Sequence, residues 1–263
     1  MLMRRHALTA AAAAVFLSLP AVSQAGFSFT TGAEYTRGDY GTSQDTSTWY
    51  VPLMLGYAGK KSFFSITVPY ISVDGSSEVT GVRSTSLPGP GGITTTTTYT
   101  STIEERTDSG LGDILLRASY QLQNETPSQP WLGVTGKVKL GTADEDKFLG
   151  TGENDYALQL DIAKGAWDGI IGYHLLGDTA TIDYDDILFG AVAYTAPLQS
   201  NWKMRTEFYT EEEVTEGVDP VREVSVTFGK PLAAGRNLRL YLVKGLSDSS
   251  PDWGGGVMLS TAF

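Results

Sequence analysis

The sequence predicts an all-β fold, a transmembrane antiparallel up-and-down β-barrel of about twelve strands. Three observations predict it. The chain opens with an export signal; strand-like runs follow it with no spanning helix; and the connections alternate between short turns and long acidic loops.

The signal comes first. Arg4 and Arg5 form a short basic region, Ala7 to Leu19 an apolar stretch, and Pro20 opens a polar boundary. Ser23 and Ala25 supply the small residues that a signal peptidase reads, which sets cleavage before Gly26. The expected division is a signal peptide over 1–25 and a barrel over 26–263. An apolar run of about thirteen residues is too short to cross a bilayer, which needs roughly 20. The paired arginines hint at the twin-arginine route, but the rest of that signal is missing, so the general pathway is expected.

Charge and composition narrow the class. Removing Arg4 and Arg5 from the 19 basic residues leaves 17 against 30 acidic ones, a charge of −13 that sets nucleic-acid binding aside. Cysteine is absent, so no disulfide framework exists despite an oxidising destination. Nothing marks a linker, and the remaining length suits one large barrel or sandwich.

Twelve strands are read near 27–35, 47–58, 61–73, 112–123, 129–141, 153–164, 166–176, 185–196, 201–210, 221–230, 236–245 and 253–263. An even number brings both chain ends to the periplasmic side. The short connections are Ala58–Lys61, Asn124–Ser128, Lys164–Ala166, Pro197–Ser200 and Pro231–Gly235. The long ones are Thr36–Thr46, Asp74–Leu111, Thr142–Gly152, Gly177–Tyr184, Glu211–Pro220 and Leu246–Asp252. A soluble sandwich has no reason to alternate in this way, whereas an outer-membrane barrel does.

Faces follow from the two-residue period. Met204, Thr206 and Phe208 alternate with Lys203, Arg205 and Glu207; Leu132, Val134, Val138 and Leu140 with Thr135, Lys137 and Lys139. Tyr156, Leu158, Leu160 and Ile162 alternate with Asp155, Gln159 and Asp161. The pattern alone does not say which face is inside, because a barrel in lipid inverts the arrangement of a soluble sandwich. Phe27, Tyr35, Trp49, Tyr57, Trp131, Trp167 and Trp253 stand near strand ends and suit interfacial girdles or ordinary core equally. The last strand ends on Phe263 with Leu259 and Val257 at alternate positions, similar to the signal read by the barrel-assembly machinery; Thr261 departs from it. Within Asp74–Leu111, the threonine-rich run Ile93–Ile103 and the turn cluster at Pro88–Gly92 give either a hairpin arm or a long loop.

Enzymatic constellations are thin. After the signal there is one histidine, His174, no cysteine, and no serine in a recognisable nucleophile setting. No phosphate loop, dinucleotide fingerprint or zinc spacing occurs, so neither an enzyme nor a cofactor is expected. Asp144-Glu145-Asp146 and Glu211-Glu212-Glu213 offer hard oxygen ligands for calcium or for cation bridges to lipopolysaccharide. Neither completes a calcium loop, which favours solvated surface charge.

The face assignment sends Arg117, Lys137, Lys139, Lys203, Arg205 and Arg239 inward with Glu34, Asp113, Asp155, Asp161, Glu207 and Glu223. Twelve strands tilted about 40° enclose a backbone radius of roughly 12 Å. Mixed charges in that space either line a narrow wet passage or pair as struts that fill it.

Trp49-Tyr50-Val51-Pro52-Leu53 with Tyr57, Val68-Pro69-Tyr70 and Ser109 to Asp113 together resemble the outer-membrane family named for the meta-pathway of phenol degradation. Lys137 to Asp144 and Gly150 to Asp155 extend the resemblance; Gly141-Thr142-Ala143 departs from the family's usual Pro-Thr-Gly. It implies a Gram-negative outer-membrane barrel that moves small, aromatic or otherwise hydrophobic compounds, and brings no catalytic residues. The expected function is a passive channel for small-molecule solutes, in contact with outer-membrane lipid and lipopolysaccharide. The alternative is a closed structural or surface-binding barrel that works through its acidic loops.

Overall fold

The computed structural model describes residues 26–76, 79–80, 96–97, 105–180, 183–233 and 235–263. The expected signal peptide and the cluster Pro88–Gly92 lie outside the described residues. The strands are β1 (Gly26–Gly38), β2 (Thr46–Ala58), β3 (Ser62–Ser76), β4 (Val79–Thr80), β5 (Thr96–Thr97), β6 (Glu105–Leu111), β7 (Ile114–Gln123) and β8 (Trp131–Leu140). There follow β9 (Asp155–Lys164), β10 (Trp167–Leu175), β11 (Ile187–Pro197), β12 (Lys203–Glu211), β13 (Val221–Pro231), β14 (Arg236–Gly245) and β15 (Trp253–Ala262).

Each wall strand pairs antiparallel with its neighbours, and β1 pairs with both β2 and β15, so the sheet closes on itself. The lower half of β3 pairs with β7 (Ser62↔Tyr120 to Thr67↔Leu115) and its upper half with β6 (Tyr70↔Leu111 to Ser76↔Glu105). β6 and β7 are therefore one wall strand broken at Gly112 and Asp113, which makes a closed barrel of twelve. Closure leaves the twelve-stranded wall without an open edge below the β3–β6 extension, the condition for a β structure in hydrocarbon. The extensions of β3 and β6, with the short β4–β5 pair (Val79↔Thr97, Thr80↔Thr96), agree with the hairpin-arm alternative; the rest of the run Ile93–Ile103 lies outside the described residues. Short turns use the expected residues: Gly165 takes φ +61° in the two-residue turn between β9 and β10, a conformation that favours glycine.

Burial shows which face is which. Along β9 the side chains of Tyr156, Leu158, Leu160 and Ile162 are exposed, Leu158 at 62%, while Asp155, Gln159 and Asp161 are buried. β2 repeats this, with Trp49, Leu53, Leu55 and Tyr57 outside and Tyr50, Met54 and Ala58 inside. The outer wall is thus apolar throughout, and two aromatic clusters bound it along β1. At the short-turn end Phe27 packs on Tyr57 (ring centroids 5.1 Å) and stacks with Phe263 (6.5 Å); at the loop end Tyr35 lies between Trp49 (5.1 Å) and Trp253 (5.4 Å). Eight residues of tilted strand separate Phe27 from Tyr35, roughly 20 Å along the barrel axis, close to the apolar band of an outer-membrane barrel. Trp131 takes the interior alternative instead of the girdle. It shares the inward parity of β8, and its ring covers the Gly133 position, 2.4 Å from where a Cβ would stand.

Candidate functional site: the barrel interior and its loop-side cap

Inward glycines let large side chains lie flat against the wall. The Phe189 ring covers Gly172, Tyr241 covers Gly256 and Met258 covers Gly32, each within 2.6 Å of the missing Cβ. Alternation of large and small residues is how a narrow barrel fills its interior. The filling is uneven along the axis. Glu34 is 1% exposed, and Tyr50, Glu211 and Glu223 are equally inaccessible toward the loops. Arg117, Ser119, Gln121, Lys203, Arg205, Arg239 and Ser260 are half-buried and lie toward the short turns.

The inward charges gather into separate groups. Lys139 sits 2.7 Å from Asp155 and 3.6 Å from Asp113, and donates to Thr151 Oγ1 at 3.1 Å. Asp155 also accepts the Gly177 N–H at 3.0 Å. Asp161 accepts from Thr135 Oγ1 (2.7 Å) and Gln159 Nε2 (2.6 Å), while Arg117 Nε donates to Ser119 Oγ at 3.1 Å. Arg205 Nη2 bridges Asp168 (2.6 Å) and Glu207 (2.8 Å). Lys137 places its Nζ 5.3 Å above the Phe189 ring, and His174 stacks on the same ring at 4.3 Å. Glu223 pairs in register with Tyr209, whose hydroxyl donates to Glu211 at 2.7 Å. Lys203 and Arg239 flank inward Gly229 in one row, and Arg239 Nη2 donates to Ser260 Oγ at 3.3 Å.

Beside the charges runs an apolar stripe, Ile170, Phe189, Tyr209 and Val221 on four consecutive strands. Neither this stripe nor Asp168 was among the residues expected from sequence, although the inward parity of Asp168, directly after Trp167, was a usable signal.

The loops cap the mouth. Asp113, in the break between β6 and β7, accepts the backbone N–H groups of Thr142 and Ala143, both at 2.9 Å. The 3₁₀ turn Glu145–Lys147 ends at Phe148 in the left-handed region (φ 54°), and the chain doubles back so that Leu149 N donates to Asp144 O. Leu149 and Ala143 are thereby buried against Tyr50, Ile71 and Val73 of the barrel wall. Tyr184, Ile187, Val214 and Val218 tie the next two loops together. In the first loop, burial pushes the Tyr40 hydroxyl well above its ordinary range, helped by the fields of Glu223 and Glu34. Repulsion from Asp178 raises Asp183 at the surface. Among the described residues no cluster of three or more metal-ligating side chains occurs, so the acidic loops build no evident cation site there.

No family model matches the chain, and no curated protein matches it. Among solved structures, an outer membrane channel from Pseudomonas putida F1 superposes with a TM-score of 0.65 at 13% identity, over 94% of this chain and 98% of that one. The CymD monoaromatic hydrocarbon channel (TM-score 0.47, 10% identity, 91% and 89% covered) and the P. putida toluene transporter TodX (0.42, 8%, 90% and 88%) are more distant. At such identities the first likeness carries the fold, and it agrees with the closed strand order: this chain has the architecture of a twelve-stranded outer-membrane β-barrel.

Proposed function

We propose that the chain is an outer-membrane barrel that passes small, hydrophobic or aromatic molecules passively, with no cofactor and no energy coupling. One observation carries the reading: the closed wall is apolar and aromatic-girdled outside and charged inside, the reverse of a water-soluble protein. The apolar stripe at Phe189 and Tyr209, beside the inward charges, suits a solute with both an aromatic and a polar part. The fold shared with the P. putida channel supports the same reading. In this scheme the short turns and both termini face the periplasm and the loops face outward. Lipid and lipopolysaccharide surround the wall. Arg117, Lys137, Lys139, Asp155, Asp161, Lys203, Arg205, Glu207, Glu223 and Arg239 line the route.

The test is refolding followed by planar-bilayer recording with salt gradients. Discrete current steps of definite selectivity are expected, and charge reversal at Lys137 and Lys203 should shift that selectivity toward cations. A correctly inserted but silent barrel, also closed to neutral aromatics in vesicle uptake, would overturn the channel and leave a structural role.

The C-terminal strand is the proposed handle for the barrel-assembly machinery. Phe263 exchanges two backbone hydrogen bonds with Phe27 (3.1 and 2.9 Å) and leaves its ring exposed. Deletion of Phe263 should lower the heat-modifiable, folded fraction in cells far more than in detergent refolding. Equal loss in both would reduce its role to closing the barrel.

A further inference from the structure

The inward arginines differ in how their charge is balanced. Arg205 has Asp168 and Glu207, and Arg117 lies in the field of Asp161. Arg239 forms no ion pair among the described residues; its one side-chain hydrogen bond goes to the neutral Ser260 Oγ at 3.3 Å. Its Nε is buried with no acceptor. A guanidinium carries five N–H donors and accepts nothing, so one whose Nε is buried without an acceptor is unfavourable until an acceptor arrives.

The neighbours point the same way. Ser260 Oγ already accepts from Thr30 Oγ1 (2.8 Å) and from Arg239, which leaves the Ser260 hydrogen to be given away. On the other side, register puts inward Gly229 between Arg239 and Lys203, so the wall position between the two cations carries no side chain of its own. Met258, the cross-strand partner of Arg239, lies over Gly32 as an apolar wall. Donors, a second cation and an apolar flank thus meet, and no carboxylate among the described residues pairs with Arg239.

We infer that this part of the barrel interior is a subsite for the oxyanion of a small solute, with Arg239 as the fork that grips a carboxylate. A carboxylate matches the guanidinium edge with two parallel hydrogen bonds and can take a third from Ser260, whereas a neutral alcohol offers one oxygen and no charge. The inference rests on the channel reading, since it names a solute class for the same interior: aromatic or short-chain carboxylates rather than neutral hydrocarbons or amines.

The experiment titrates benzoate, benzyl alcohol and benzylamine into the detergent-folded barrel by calorimetry at low salt. Benzoate should bind at least about tenfold more tightly than either analogue. Arg239→Gln should abolish that preference, Arg239→Lys should keep part of it, and Ser260→Ala should weaken benzoate without strengthening benzyl alcohol. Heat-modifiable mobility reports folding; if Arg239→Gln does not fold, the lysine and alanine variants decide. Equal affinities in the wild-type barrel, or a benzoate preference indifferent to Arg239→Gln and Ser260→Ala, would overturn the subsite. Binding in detergent needs no flux, so the two readings fail separately. A silent barrel that still prefers benzoate loses only the channel, and a conducting barrel with no preference loses only the subsite.

Discussion

Replacement of Arg205 by methionine should destabilise the barrel by about 3–5 kcal/mol, the range seen when one partner of a buried ion pair is removed. Arg205 Nη2 lies 2.6 Å from Asp168 and 2.8 Å from Glu207, with side-chain exposures of 14%, 3% and 11%. Methionine preserves most of the volume but leaves two carboxylates facing each other in a poorly hydrated interior. The loss therefore comes chiefly from stranded charge and not from lost packing. Urea unfolding in detergent or lipid vesicles, followed by tryptophan fluorescence, measures it. A companion variant, Arg205→Met with Asp168→Leu and Glu207→Leu, removes all three charges and should recover most of the stability. A single-variant loss below about 1 kcal/mol would mean that water screens the group as it does a surface pair, and that this level of the barrel is wet. The result also guides tests of selectivity. Charge reversal at Arg205 would perturb the wall itself, so selectivity is read at Lys137 and Lys203, with heat-modifiable mobility checking that each variant still folds.

The fold was legible because the period-two alternation of strands survives inspection strand by strand. In β9 the sequence separates Leu158 and Leu160 from Gln159 and Asp161 without ambiguity. What the alternation could not say is which set faces water; closure of β1 onto β15 settles it, and that contact joins opposite ends of the chain. The inward charges were readable as a set but not as pairs. Arg205 reaches Asp168 across an intervening strand and one row off, past the small Ala193, which stands in register between Asp168 and Glu207. Curvature and the size of one bystander decide that contact, and neither is a local property. Trp131 stood open between girdle and interior for a related reason: an aromatic at a strand end points inward when its parity and an adjacent Gly133 make room for the ring. Leu149 was the least visible. A single leucine in the acidic stretch Thr142–Gly152 reads as loop until the chain reversal at Phe148 aims it into the barrel.

That leucine is the subject of the other large effect. Leu149 is 1% exposed and closes a cluster with Tyr50, Ile71, Val73 and Ala143, so it works as a peg that holds its loop in the mouth. Trimming a buried leucine to alanine costs about 2–5 kcal/mol, which shifts a docking equilibrium at least roughly 30-fold. Leu149→Asp, which would bury a charge against Tyr50 and Ile71, should shift it further. In a conducting barrel both variants are expected to raise the open fraction and the unit conductance, aspartate more than alanine. Asp113→Ala should act in the same direction by a different route, since it removes the acceptor that holds the Thr142 and Ala143 N–H groups. Limited proteolysis within residues 142–152 checks that the loop has left its seat. If the loop becomes cleavable while conductance stays as in the wild type, the docked segment is not the barrier, and solutes must pass the mouth beside it. If conductance rises with cleavability, the resting barrel is held shut by one apolar peg and one carboxylate strap.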